Sequence, residues 1–225
     1  MSEIKAFVHN GSSASPLVVM NSFGDEWKQV VEALDRLDVR NYSLLSVTRS
    51  EWNKDLAPWK ASAVFKGEAD FEGGADEYLN MLTGEIIPET IKEHDLKPSD
   101  TYIAGYSMAG LFALYSLYKT DVFDGAASCS GSLWFPGFKE FTFDNDPAVS
   151  PSKIYMSLGD REANTKNKVM ATVEDNTKAI AGRFNDLGFD VLFEMNQGGH
   201  FTDPALRTAK GIAYLLGGRE INLSF

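Results

Sequence analysis

Short runs of nearly unbroken apolar residues alternate along this chain with longer stretches in which apolar residues recur every three or four positions. The short runs at 4–9, 16–20, 42–47, 101–106, 125–130, 153–158 and 190–195 read as strands. The longer stretches at 25–37, 75–93, 108–119, 166–187 and 204–216 read as helices. A strand that is apolar on both faces has both faces covered, so the alternation predicts an α/β fold of three layers: a mostly parallel central sheet with helices on either side. The first two runs flank Gly11-Ser12-Ser13 and predict an antiparallel entry hairpin. In a sheet of this kind ligands bind at the carboxyl ends of the strands. The segment 49–74 is the longest without a clear period; with Trp52, Trp59, Phe65 and Phe71 it reads as a folded connection anchored by aromatic side chains rather than as a lid.

Composition narrows the picture. The 225 residues, 44% hydrophobic and 24% charged, suit a single domain over 1–225 with no large cap domain. A chain of this size buries roughly 70–75% of its unfolded surface, enough to hold a core without metal or disulfide. Lys and Arg number 21 against 32 Asp and Glu, a formal charge of −11, and no basic cluster interrupts the excess, which argues against nucleic acid as a partner. Cys129 is the lone cysteine and fits a reducing compartment. The first ten residues lack a basic start followed by an apolar run, and no apolar stretch reaches 18 residues. The expected location is the cytoplasm, away from membranes.

Chemistry concentrates in TYIAGYSMAGLFALYSL, residues 101–117, where an apolar strand passes through Gly105-Tyr106-Ser107-Met108-Ala109-Gly110 into a helix read as amphipathic, with Leu111, Leu114, Tyr115 and Tyr118 in register. A serine becomes a nucleophile when a sharp strand-to-helix turn holds it clear of its neighbours, beside a base and beside N–H groups that receive an oxyanion. Such a turn needs small residues two positions before and after the serine. Gly105 and Ala109 meet that need, the latter as a departure from the usual second glycine. The plain alternative is a buried strand and helix with an incidental serine.

Of the three histidines, His9 falls in the entry hairpin and His94 in a charged stretch, and both read as surface or turn residues. His200 follows the last strand through Gly198-Gly199, and Asp203-Pro204 then reads as N-cap and first position of the closing helix. That placement suits a base carried over Ser107. With the order serine, acid, histidine, the acid falls after the run 153–158, where Asp160 and Glu162 compete. Ser130-Gly131-Ser132-Leu133-Trp134-Phe135 follows the strand after the Ser107 helix, and Trp134 is a candidate wall for a substrate pocket. Cys129 reads as an inert buried thiol. Three scattered histidines and one cysteine offer no metal-ligand cluster.

These segments, in this order, make the chain resemble the putative-esterase branch of the α/β-hydrolase superfamily, which includes esterase D-like enzymes and siderophore esterases, over about residues 16–216. The resemblance implies an α/β-hydrolase fold and a serine carboxylester hydrolase that forms an acyl-enzyme on small-molecule esters without a cofactor. Enzymes of this architecture often carry Gly-x-x-acid after the relevant strand, which selects Glu162; a shorter turn would select Asp160. The oxyanion donors are expected to be the backbone N–H groups of Met108 and, by position in Asn21-Ser22-Phe23-Gly24, of Phe23. An acyltransferase with the same triad, or a binding protein that has lost turnover, would share every one of these features.

Overall fold

The six residues of the second strand and the five of the strand after the Ser107 helix are all buried, which requires a covering layer on each face of the sheet. The computed structural model describes residues 4–48, 51–64, 67–150 and 152–217. In chain order its elements are β1 (Ile4–Asn10), β2 (Leu17–Ser22), α1 (Glu26–Arg36), β3 (Tyr42–Thr48), α2 (Trp52–Asp55), β4 (Lys60–Ala61), β5 (Phe71–Glu72), α3 (Ala75–Met81), α4 (Ile87–Glu93), β6 (Thr101–Tyr106), α5 (Met108–Ser116), β7 (Gly125–Cys129), α6 (Phe138–Asp144), β8 (Lys153–Gly159), α7 (Val173–Asp186), β9 (Asp190–Asn196) and α8 (Pro204–Leu215). The expected α/β architecture is present. Seven strands form one sheet in the order β1-β3-β2-β6-β7-β8-β9, and only β1 runs antiparallel to its neighbour. α1 and α8 pack on one face around Val30, Leu34, Ile212 and Leu215. The helices α3 to α7 cover the other around Tyr78, Phe112, Phe138 and Phe184.

The entry hairpin does not form. β1 pairs with β3, Phe7 opposite Leu45, while β2 lies inside the sheet with Val19 paired to Leu45 on one side and Ile103 on the other. The fully buried β2 needs partners on both edges. None of residues 5–10 of β1 is fully buried, and Lys5 and His9 face solvent, as suits an edge strand. The link between them is tied instead to the approach to β6, with Lys97 N–H on Ser13 O at 2.7 Å.

Two helical readings are also corrected. α5 is buried at all nine positions, so it is not amphipathic; its outer side is closed by aromatic neighbours, Tyr78 against Phe112 at 5.3 Å and Trp59 against Tyr115 at 6.4 Å. The stretch 75–93 is interrupted by a π-turn, Leu82–Ile86, immediately before Ile87 and Pro88. Proline has no N–H and its ring clashes with the carbonyl four residues back, and a widened turn relieves both. The aperiodic segment is a folded connection: Trp59 packs on Phe135 and Phe141 and donates Nε1–H to Pro136 O at 3.0 Å, and Phe71 packs on Trp134 and Phe135. Phe65, also expected among its anchors, lies outside the described residues.

Topology decides where a site can open. From β2 the chain moves outward to β3, then returns to place β6 on the other side of β2. The connections leaving β2 and β6 therefore diverge, and a crevice forms between them at the carboxyl ends. Asn21 pairs with Gly105, so the Ser22-Phe23 turn and Ser107 stand at the same level on either side of it.

Candidate active site

Ser107 sits between β6 and α5 with φ 57° and ψ −121°, a backbone conformation rarely held by a residue with a side chain. Close packing enforces it. A Cβ on Gly105 would lie 2.4 Å from the Ala109 carbonyl and 2.6 Å from the Ala109 methyl, so only glycine lets the helix fold back this tightly on the strand. The alanine is accommodated because Gly105 has yielded the space, and Gly110 in turn abuts Gly131 and Ser128. Met108, buried at 5% exposure, is the first residue of α5. Its N–H belongs to the group that has no partner within a helix and gathers at the positive end of the helix dipole.

The His loop folds over this elbow. His200 Nε2 lies 3.1 Å from Ser107 Oγ, and its Nδ1 lies 2.7 Å from Glu162 Oε2. Gly198 turns at φ 106°, and its N–H is held by Asp160 Oδ1 at 2.8 Å. Of the two competing carboxylates, Glu162 thus meets the imidazole, while Asp160 braces the backbone ahead of it and lies 3.9 Å from Arg161 Nε. Asp203 occupies the N-cap of α8 with Pro204 behind it, as the sequence predicts, but its side chain makes no capping hydrogen bond. Tyr106 donates its hydroxyl to His200 O at 2.6 Å and its ring lies 5.4 Å from the imidazole.

Glu162 is 5% exposed at its side chain. Burial is the largest influence on its carboxyl and pushes the pKa up; the hydrogen bond and charge of His200, the Ser130 hydroxyl and the Gly159 N–H together outweigh it and hold the group below the ordinary carboxylate range. Oε1 receives the Gly159 N–H at 2.7 Å, the Ser130 hydroxyl at 2.8 Å and Arg207 Nη1 at 3.0 Å. A second hydroxyl, Ser132 Oγ, lies 3.2 Å from Ser107 Oγ, and the Ser132 N–H donates to Ser107 O at 3.0 Å.

Other sequence candidates stand as follows. The Phe23 N–H donates to Glu26 Oε2 at 2.9 Å, and its ring, 65% exposed, packs edge-on against Trp52. Beside it a cleft of about 210 Å³, lined by Ser22, Glu26, Gln29, Tyr106 and Pro204 among others, leaves the Glu26 side chain room to swing away. Trp134 is half-buried, 6.2 Å from Phe71, on the loop that carries Ser132. His9 bonds Ser43 and His94 stacks on Phe7, both at the β1 edge, with β3 and β2 between them and β6. Cys129 is buried, which pushes its thiol up to about 12. Among the described residues no cluster of His, Cys, Asp and Glu could hold a metal ion, and no helix is long and apolar enough to cross a membrane.

Arg207, Ser132 and Glu26 carried no assignment from sequence. Arg207 had a signal: it shares a helical face with Gly211 and Leu215, both buried, and a charge in that stripe demands a buried partner.

An IroE-like serine hydrolase from Shewanella oneidensis superposes with a TM-score of 0.80 at 18% identity, covering 98% of this chain and 78% of its own. The siderophore hydrolase EstA of Aspergillus nidulans gives 0.74 at 16% identity, over 96% and 95% of the two chains. The enterobactin hydrolase IroE gives 0.68 at 16% identity, over 96% and 95%. At such identities these likenesses show a shared α/β-hydrolase fold. No curated protein matches the sequence significantly. The family described as putative esterase matches residues 4–200, and the chain belongs to that family of hydrolases.

Proposed function

We propose that the protein is a serine carboxylester hydrolase in which Ser107, His200 and Glu162 act as nucleophile, base and acid. The observation that carries this reading is the unbroken line of contacts from Ser107 Oγ through the imidazole to Glu162 Oε2, 3.1 and 2.7 Å long. His200 accepts the Ser107 proton as Oγ bonds to the ester carbonyl carbon. Glu162 accepts the Nδ1–H, fixes the tautomer and stabilises the imidazolium. The oxyanion is held by the Met108 N–H and by the Phe23 N–H, the latter after Glu26 has turned away. The imidazolium then protonates the departing alcohol oxygen as the carbon–oxygen bond breaks. Water repeats the sequence on the acyl-enzyme, releasing the acid and restoring Ser107.

Substrates on this reading are small esters, with Trp134 walling one side of the pocket over the buried Phe71 and Phe135. The names of two structural relatives, a siderophore hydrolase and an enterobactin hydrolase, make siderophore esters the first natural compounds to try. We read the chain as one catalytic unit without a large cap, working in the cytoplasm. A panel of p-nitrophenyl esters of increasing chain length, with Ser107→Ala as control, tests the activity. A fluorophosphonate tests the nucleophile: a Ser107 adduct with turnover supports the reading, and folded protein that forms no adduct overturns it.

A further inference from the structure

Arg207 heads the largest fully buried side chains of the described residues, 2% exposed, on a helix that otherwise contributes apolar packing. Its guanidinium joins the carboxyl ends of four strands. Nη1 reaches the Tyr106 hydroxyl at 3.3 Å, Ser130 Oγ at 3.0 Å and Glu162 Oε1 at 3.0 Å, while Nη2 donates to Gln197 O at 3.1 Å. A buried ion pair is seldom a net gain over well-packed apolar side chains, because both charges lose their hydration. Packing alone therefore gives no reason for an arginine here.

The geometry around Glu162 gives one. Its terminal torsion is soft, and a carboxylate free to turn would present either oxygen, at varying angles, to the imidazole. Three donors hold Oε1, leaving Oε2 aimed at His200 Nδ1. Of the three only Arg207 brings charge. With the imidazole neutral, as a base must be, the buried carboxylate has Arg207 as its counter-ion. Without that cation the anion would be balanced by a proton on the imidazole, and an imidazolium cannot take the proton of Ser107.

We propose that Arg207 is a positioning residue that keeps Glu162 turned toward His200 and reserves the imidazole, in its neutral form, for Ser107. The proposal rests on the reading of Glu162 as the acid of the site. The other titratable or charged groups around the pair are Tyr106 from β6, Cys129 from β7, and Asp160 and Arg161 on the loop of Glu162. Burial raises the pKa of both Tyr106 and Cys129, keeping them uncharged, and Asp160 is engaged with Gly198.

The test is a double-mutant cycle on the full chain with Glu162→Gln, Arg207→Met and the pair, read by ester hydrolysis over a range of pH and by thermal unfolding. Arg207→Met is expected to lower kcat/KM about tenfold to a hundredfold, by analogy with the loss of hydrogen-bond partners that orient metal-binding side chains, and to move the acidic limb of the profile to higher pH. In the Glu162→Gln background the same change is expected to alter kcat/KM less than twofold and to raise the melting temperature, since it removes a buried cation left without its anion. A multiplicative effect in both backgrounds, with the acidic limb unmoved, would overturn the proposal. If Arg207→Met does not fold, Arg207→Lys decides: retention of the acidic limb supports the role of the charge, and a limb displaced as the charge is kept overturns it. A Glu162→Gln enzyme of full activity would instead overturn the reading of the acid.

Discussion

Glu26 Oε2 accepts the Phe23 N–H at 2.9 Å, so a carboxylate covers the backbone donor assigned to the oxyanion. The contact is locally favourable, because Glu26 lies in the first turn of α1, where a negative charge meets the positive end of the helix dipole. On the proposed mechanism it opposes catalysis, because the bond would have to break and the anion would repel a second one forming nearby. Glu26→Ala is expected to raise kcat/KM about fivefold, the equivalent of about 1 kcal/mol for one exposed hydrogen bond. Steady-state kinetics on a short-chain ester checks this, and an unchanged or lower value would remove Phe23 from the oxyanion site.

Ser132 Oγ, 3.2 Å from Ser107 Oγ, is placed to donate to the proposed nucleophile as the Ser107 proton leaves. Ser132→Ala removes that donor and keeps the backbone bond from residue 132 to Ser107 O. The rate of fluorophosphonate labelling is expected to fall about five- to tenfold, matching one hydrogen bond of about 1–1.5 kcal/mol, with KM for esters unchanged. A fall in KM's inverse with kcat preserved would show that the hydroxyl serves substrate binding instead.

Glu162 has a folded-state pKa below its ordinary value, and the unfolded chain titrates at about 4.3. Its ionised form therefore stabilises the fold fully above that pH, and the contribution disappears as pH falls through the lower, folded value. Urea unfolding of the native protein and of Glu162→Gln between pH 7 and 3 should show a stability gap that narrows in acid. A gap constant over this range would mean that the carboxylate is not held by charge.

Two glycines predict opposite outcomes for the same substitution. At Gly105 a methyl would meet Ala109 backbone atoms at 2.4 Å, so Gly105→Ala should destabilise the protein by about 1–3 kcal/mol and misplace Ser107, abolishing labelling. Gly182, within α7, has nothing within 4 Å of an added methyl, and Gly182→Ala should stabilise by about 0.5–1 kcal/mol at full activity. Chemical denaturation of both variants checks the pair.

Much of the site was readable along the chain because local geometry made it so. Gly105, Ser107 and Ala109 declare their turn by size alone, and Gly198-Gly199 announces the His200 loop. Glu26 escaped notice, since a carboxylate in the first helical turn is an ordinary capping feature until the adjacent N–H has a role. Ser132 stood in a marked segment, but its proximity to Ser107 comes from the loop after β7 folding back on the elbow, across 25 residues of chain.

The alternation of strands and helices, read from hydrophobic periodicity, determined the class of fold, the chain order of the seven sheet strands and the places of Ser107 and His200 along it, because burial on two faces or on one leaves its mark residue by residue; the short α2, β4, β5 and α6 carry no such period. Tertiary structure decided which neighbours those elements took. Strand pairing placed β1 on β3 and broke the expected hairpin, since main-chain hydrogen bonds carry no residue code and the edge goes to the strand that best tolerates water. It also gave Glu162 and Asp160, two carboxylates with equal chemistry on one loop, different neighbours: the turn after β8 aims the first at the imidazole and the second at the Gly198 N–H. Direction in space, which sequence spacing does not encode across separate strands, separates the two.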